Sequence, residues 1–171
     1  MKFELSPRIA LTVLALIPLG LLAEALILQH LQNQAPCPLC VLQREAFFLY
    51  AMVAIAGAIH NLPRRGAALY AGAMALASLA GVGVAIWHVW TLHHPKFGCG
   101  IDVMEQFVNN LPTAKLMPFI FFANGDCSAR HDPILGLQVP EWALTWFAVL
   151  LISAVFLAYK WWSAAPARAA G

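Results

Sequence analysis

The sequence alternates between long apolar runs and shorter polar segments, and four of the apolar runs are long enough to cross a membrane. A transmembrane helix needs about 20 predominantly apolar residues to cross a hydrocarbon core roughly 30 Å thick. The second run qualifies only if Arg44 and Glu45, near its start, lie at the level of the lipid headgroups. The pattern predicts an all-α integral membrane protein, a four-transmembrane-helix bundle. The predicted spans are residues 9–29, 41–59, 67–89 and 142–159.

Composition supports this prediction and argues for a single membrane domain over residues 1–171. Of the 171 residues, 61% are hydrophobic and only 11% are charged, which is outside the range of ordinary soluble domains. The first run is interpreted as a retained span rather than a removable signal peptide, because it is long and no clear small-residue cleavage site follows it. The net charge of +2 is small, and no basic cluster with interleaved aromatic residues indicates nucleic acid.

The basic residues predict the orientation of the bundle. The connections between spans cover about 30–40, 60–66 and 90–141. Lysine and arginine concentrate at both ends of the chain and in the short second connection, whereas the 52-position long connection contains few of them. By the positive-inside rule, both termini are then cytoplasmic. The basic residues behind this prediction are Lys2, Arg8, Arg64, Arg65, Lys160 and Arg168.

All four cysteines lie in the first and third connections: Cys37 and Cys40 in the first, Cys99 and Cys127 in the third. These two connections are on the same side of the membrane whichever way the bundle is oriented, and the predicted orientation makes it the exported side. An even number of cysteines in an oxidising compartment indicates two disulfides.

The two cysteine pairs differ in kind. Cys37 and Cys40 form a C-x-x-C, a spacing that closes a very small ring, adds little stability, and opens readily by thiolate exchange. Cys99 and Cys127 would close a loop of about thirty residues, for which the chain-entropy estimate is roughly 3–4 kcal/mol. Taken alone, the second pair could be purely structural.

The residues around the C-x-x-C favour chemistry at Cys40. Pro38 disfavours a helical conformation at Cys37, so we expect the second helix to begin near Leu39 with Cys40 in its first turn, where the helix dipole stabilises a thiolate. Arg44 lies four positions after Cys40, hence on the same helix face, and can stabilise a negative charge there. We therefore expect Arg44 to matter for the charge at Cys40 and hardly at all for folding.

Other interpretations of these residues stay open at this level. Arg44 could be an interfacial arginine that extends toward the headgroups, and Glu24 an interfacial carboxylate. The four cysteines could bind zinc, although structural sites with four cysteines usually combine two close pairs. His88 could be an ordinary buried histidine.

Several motifs together resemble the bacterial disulfide bond formation protein B (DsbB) family over nearly the whole chain. They are C-P-L-C-V-L-Q-R at 37–44, Glu24 with Gln29-His30 before it, Gly98-Cys99, N-G-D-C-S-A-R at 124–130, and L-G-L-Q-V-P-E-W at 135–142. The resemblance implies an inner-membrane, quinone-dependent thiol:disulfide oxidoreductase. Such a protein reoxidises a periplasmic, DsbA-like thioredoxin-fold partner and supports disulfide formation in exported proteins.

The resemblance also implies a role for each site residue. Cys99 would form a mixed disulfide with the partner and Cys127 would resolve it, while Cys37 would exchange with the Cys99–Cys127 pair. Cys40 would then face the quinone, either ubiquinone or menaquinone. Arg44 matches the arginine of the family's quinone site, and His88 matches a histidine near the quinone if a small gap precedes Cys99.

Within the long connection, residues 101–116 carry apolar side chains at helical spacing. We expect a short amphipathic helix there, lying either on the membrane lipid or on the top of the bundle. Its apolar positions are Val103, Met104, Phe107, Val108 and Leu111.

Two alternative functions also remain: a paralogue that serves a different thioredoxin-like partner, and a non-catalytic membrane scaffold that is stapled by disulfides or binds a metal.

Overall fold

Four long apolar helices dominate the chain, as the hydrophobic pattern predicts. The computed structural model describes residues 6–94, 101–130 and 133–164. All four long helices are apolar enough to cross a membrane, and each extends a few residues beyond the predicted span at both ends. The helices are α1 (Pro7–Leu31), α2 (Pro38–His60), α3 (Arg64–His93), α4 (Ile101–Asn109), α5 (Pro112–Leu116), α6 (Pro118–Phe121) and α7 (Val139–Ser163).

Local sequence signals mark where the long helices begin. Proline occupies the first turn of α1, α2 and α7, where its missing N–H costs no helical hydrogen bond. The Ser6 hydroxyl caps α1 by accepting the Ile9 N–H. At the start of α7, the Glu141 carboxylate accepts the Gln138 N–H at 2.7 Å. Asn61 ends α2 in the left-handed conformation, with φ 45°.

The long helices pack as a chain of neighbours: α2 contacts both α1 and α3, and α3 contacts α7. In the core, the rings of Phe47 and Phe147 stack with centroids 3.9 Å apart. Gly81 makes room for this pair, because a Cβ there would lie 2.2 Å from the Phe147 ring. A cavity lined by residues of α1, α2 and α7 contains the candidate site.

The long connection contains two short helices where the sequence predicts one amphipathic helix over residues 101–116. Pro112 disfavours a helical conformation at Leu111, which is extended, and so α4 ends before α5 begins. Val108 is fully buried and packs with Val41 and Phe121 on the bundle, whereas Val103 and Phe107 are exposed. Part of the apolar face of α4 therefore lies on the bundle, and contact of its remainder with lipid stays a prediction.

Candidate functional site

Cys37 and Cys40 lie together at the start of α2. Cys37 is the N-cap residue: its Sγ accepts the Cys40 backbone N–H at 3.2 Å, and the two sulfurs are 3.0 Å apart. Both are free thiols in this structure. The prediction that α2 begins at the C-x-x-C, with Cys40 in its first turn, is confirmed.

The two thiols differ in environment. Cys37 is 2% exposed, and this burial raises the pKa of its thiol well above the usual range. The hydrogen bond that its S–H donates to Cys40 raises the Cys37 pKa further. Cys40 is less enclosed and also receives the field of the N-terminus of α2. When one proton leaves the pair, the negative charge therefore lies on Cys40.

Three buried side chains lie in contact one after another: Gln43 of α2, His88 of α3 and Cys37. His88 Nε2 lies 3.6 Å from Cys37 Sγ, and Gln43 Nε2 lies 3.2 Å from His88 Nδ1. A ring protonated at Nε2 donates to Cys37 and accepts from Gln43 at Nδ1, which fits a Cys37 S–H that is given to Cys40. The imidazole also hydrogen-bonds the backbone of Cys127. The His88 ring is thus positioned by Gln43, a residue that the sequence analysis missed. An uncharged polar side chain inside an apolar run, three positions after Cys40, was the available signal.

Arg44 joins three segments of the chain. Its Nη1 donates to Gln29 Oε1 at 2.5 Å and to the Ile120 carbonyl at 2.7 Å, and its Nη2 donates to the Ala25 carbonyl at 3.2 Å. The side chain is only 7% exposed. The guanidinium is therefore bound inside the protein between α1 and α6, and it does not extend toward headgroups. This corrects the expectation that Arg44 hardly matters for folding.

Cys127 lies against the C-x-x-C pair. It is 0% exposed and packs in one small cluster with Cys37 and Leu39. Cys127 is disulfide-bonded, so it cannot supply a thiolate to a zinc site of four cysteines in this state. Cys99 lies outside the described residues, and its pairing with Cys127 stays a prediction.

A tight backbone contact holds the Cys127 segment in this position. The N–H groups of Asn124 and Gly125 both donate to the Pro36 carbonyl at 3.0 Å, one residue before Cys37. A Cβ on Gly125 would lie 2.2 Å from the Ala35 carbonyl oxygen, which is closer than atoms can approach. Only glycine allows these two backbone segments to approach so closely.

We expect Gly125→Ala to slow, by about tenfold or more, the electron transfer from the long connection to Cys37 and Cys40 that the family resemblance implies, because a displacement near 1 Å is enough to misalign a thiol–disulfide exchange. The measurement is the quinone reduction that the resemblance implies, driven by a reduced thioredoxin-fold partner and, for comparison, by a small dithiol that reaches Cys37 and Cys40 directly. The first rate should fall and the second should not.

Gly83→Ala is the matched control, because a Cβ at Gly83 in α3 meets no atom within 4 Å. It should leave both rates unchanged. A Gly125→Ala protein with the parental partner-driven rate would contradict the positioning role of the Pro36 contact.

The cavity between α1, α2 and α7 has a volume of about 380 Å³. Its walls are mostly apolar and include Phe47 and Trp146. Cys40, Arg44 and His88 all line it, so the structure brings together the site residues that the sequence placed on α2 and α3. Glu24 also lines this cavity from α1. An apolar cavity with a few convergent polar groups suits a small, flat organic molecule.

Comparison with known proteins agrees with the motifs. A family model described as "Disulfide bond formation protein DsbB" matches residues 7–157. "Disulfide bond formation protein B" of Herminiimonas arsenicoxydans is 47% identical over 155 residues, covering 90% of this chain and 96% of the relative. The chain belongs to the DsbB family.

Further relatives within the DsbB family show the same breadth of match. "Disulfide bond formation protein B" of Ralstonia nicotianae is 40% identical, and the match covers 89% of this chain and 94% of the relative. "Disulfide bond formation protein B 1" of Pseudomonas fluorescens is 43% identical and covers 83% of each chain. The resemblance inferred from the motifs is confirmed, and with it a membrane thiol:disulfide oxidoreductase of the DsbB type.

Proposed function

We propose that this chain oxidises a periplasmic, DsbA-like dithiol protein and passes the two electrons through Cys99–Cys127 and Cys37–Cys40 to a membrane quinone. The observation that carries this proposal is the contact between the two cysteine centres: Cys127 packs against Cys37 in the same buried cluster. Thiol–disulfide exchange requires this kind of proximity, since the attacking and attacked sulfurs must come into line.

The first exchange takes place at Cys99. A thiolate of the partner attacks Cys99, the Cys99–Cys127 bond breaks, and Cys127 leaves as a thiolate. Burial supports this order, because Cys127 is 0% exposed and a folded partner protein cannot reach it. The second thiol of the partner then releases the oxidised partner from Cys99.

The second exchange takes place at Cys37. The Cys127 thiolate, beside Cys37, attacks the Cys37–Cys40 disulfide, a Cys37–Cys127 bond forms, and Cys40 leaves as a thiolate. Exchange with Cys99 then restores the Cys99–Cys127 disulfide and leaves Cys37 and Cys40 reduced. Overall, two electrons and two protons have moved from the partner to the C-x-x-C pair.

Electrons leave the protein through Cys40. A quinone, when bound, supplies a two-electron, two-proton acceptor, and the cavity that contains Cys40 fits such a ring in size and polarity. Arg44 provides a fixed positive charge on one wall of this cavity, which stabilises negative charge that develops near Cys40. His88 holds Cys37 by a hydrogen bond during this step. Either ubiquinone or menaquinone satisfies this chemistry.

The membrane placement that we propose has the cysteines on the periplasmic side of the inner membrane and both termini in the cytoplasm. Residues 124 and 125 donate to Pro36, so the first and third connections meet at one end of the bundle. Arg64 and Arg65 begin α3 at the other end, where the positive-inside rule favours the cytoplasm.

Partner trapping tests the proposed order of exchange. The Cys127→Ala protein, reduced at Cys99, should attack the disulfide of an oxidised thioredoxin-fold partner and break that bond. It should then accumulate a covalent complex through Cys99, because no Cys127 thiol is present to displace the partner. Non-reducing electrophoresis followed by peptide mapping identifies the joined cysteines.

Cys99→Ala combined with Cys127→Ala is the control, and it should form no complex. Conjugation of the partner to Cys37 or Cys40 in the Cys127→Ala protein would refute the order that we propose.

A further inference from the structure

Three metal-binding side chains converge at the start of α2: the thiols of Cys37 and Cys40 and the imidazole of His88. Their ligand atoms all lie within 4.8 Å of one another. Two thiolates and one imidazole are a donor set that zinc uses with a fourth, exchangeable ligand in catalytic sites. The same donors suit cadmium and other soft cations.

The distances are close to those of a tetrahedral site. With Zn–S distances near 2.3 Å and Zn–N distances near 2.0–2.1 Å, neighbouring ligand atoms are roughly 3.5–3.8 Å apart. The 3.6 Å between Cys37 Sγ and His88 Nε2 already fits. The two sulfurs, at 3.0 Å, must separate by about 0.8 Å, and the side chain of Cys40 can move because it borders the cavity.

The surroundings complete the site. A histidine that binds a metal through one nitrogen needs a partner for the other, and Gln43 is in contact with His88 Nδ1. The amide of Gln43 can present its oxygen to an Nδ1–H as readily as its NH₂ group to a bare Nδ1. The cavity offers space for a water molecule or another small ligand at the fourth position. Its lining includes the carboxylates of Glu24 and Asp126 as well as the guanidinium of Arg44, so the two thiolates supply the charge that attracts the ion.

We propose that the reduced form of this protein binds one zinc or cadmium ion through Cys37, Cys40 and His88, and that the oxidised form does not. A disulfide has no thiolate to offer, so the site exists only after the pair has received electrons. Each thiol that binds the ion releases its proton to solvent. The bound ion holds both sulfurs and stops electron transfer from Cys40, which makes it a redox-gated inhibitor.

The test uses the full-length protein in detergent with Cys99→Ala and Cys127→Ala, so that only Cys37 and Cys40 can be reduced. The reduced and the oxidised protein are titrated with Cd²⁺, and binding is measured by the ultraviolet charge-transfer band of cadmium thiolate. Zn²⁺ is then added in competition. We expect one ion per reduced chain and none per oxidised chain. His88→Asn should weaken binding at least tenfold, and Gln43→Leu should weaken it by about tenfold through loss of support for the imidazole.

His60→Asn is the matched control, since His60 lies at the opposite end of α2 and contacts Tyr70, and it should bind like the parent. Equal binding by His88→Asn and the parent, binding by a Cys37→Ser/Cys40→Ser protein, or no binding at all would each overturn the proposal. Quinone reduction, measured without metal, is independent of this result, so an active protein that binds no ion refutes the metal site and leaves the proposed function standing.

Discussion

Cys40→Ser is expected to lower partner-driven quinone reduction by about 10³-fold or more, the scale seen when a covalent nucleophile is removed. The reason is geometric. Both cysteines line the cavity with Arg44, but Cys40 is the more exposed of the two, whereas Cys37 is 2% exposed and gives its hydrogen bond to Cys40. A serine hydroxyl at this position cannot form a disulfide with Cys37 and cannot deliver electrons.

The measurement is loss of quinone absorbance with two electron donors, a reduced thioredoxin-fold partner and a small dithiol. Cys40→Ser should fail with both donors. Cys127→Ala is the informative control, because it interrupts the relay before Cys37 and should fail only with the partner. Quinone reduction by Cys40→Ser within tenfold of the parent, with either donor, would show that electrons leave from another residue.

Arg44→Met is expected to raise the quinone concentration needed for half-maximal rate by about tenfold or more, because a fixed cation is lost from a poorly solvated cavity. It should also loosen the long connection. The carbonyls of Ala25 and Ile120 lose a charged donor, and a buried group left without its partner costs about 1–3 kcal/mol. The expected loss of stability is therefore about 2 kcal/mol.

Two further variants separate these effects of Arg44. Arg44→Lys keeps the charge but not the planar guanidinium that reaches two segments at once. We therefore expect it to lose a smaller share of the quinone affinity than of the stability. Gln29→Met removes one acceptor of the guanidinium and leaves the cation, so its effect on quinone affinity should be the smaller. Initial rates against quinone concentration report the first property and thermal unfolding the second. An Arg44→Met protein with parental values of both would contradict the role argued here.

Features that depend on near neighbours in the chain were predictable. The four spans follow from hydrophobic run length, because a helix satisfies its backbone hydrogen bonds within itself and needs only an apolar surface to lie in lipid. The placement of all cysteines on one side follows from the number of spans between them. The start of α2 at the C-x-x-C follows from Pro38, and the proximity of Cys40 to Arg44 follows from helical periodicity.

Contacts between segments that are distant in the chain were not predictable from the sequence. Gln43 contacts His88, 45 positions away, and Arg44 binds the Ile120 carbonyl, 76 positions away. Neither contact has a signature in local periodicity, because each is created by the packing of α2 against α3 or of the long connection against α2. The break between α4 and α5 has a local cause: the apolar spacing continues through residue 111, but Pro112 disfavours a helical conformation at Leu111 and ends the helix.

The sequence by itself determined the membrane class and the number of spans, and it predicted the common side of the four cysteines and the residues to which we assign the redox chemistry. Only the tertiary structure decided which groups those residues meet: Cys127 beside Cys37, His88 held between Gln43 and Cys37, and Arg44 between α1 and α6. The physical reason is the separation along the chain over which each interaction acts. Helix formation and membrane insertion depend on neighbours along the chain, whereas a buried site depends on side chains that only packing brings together.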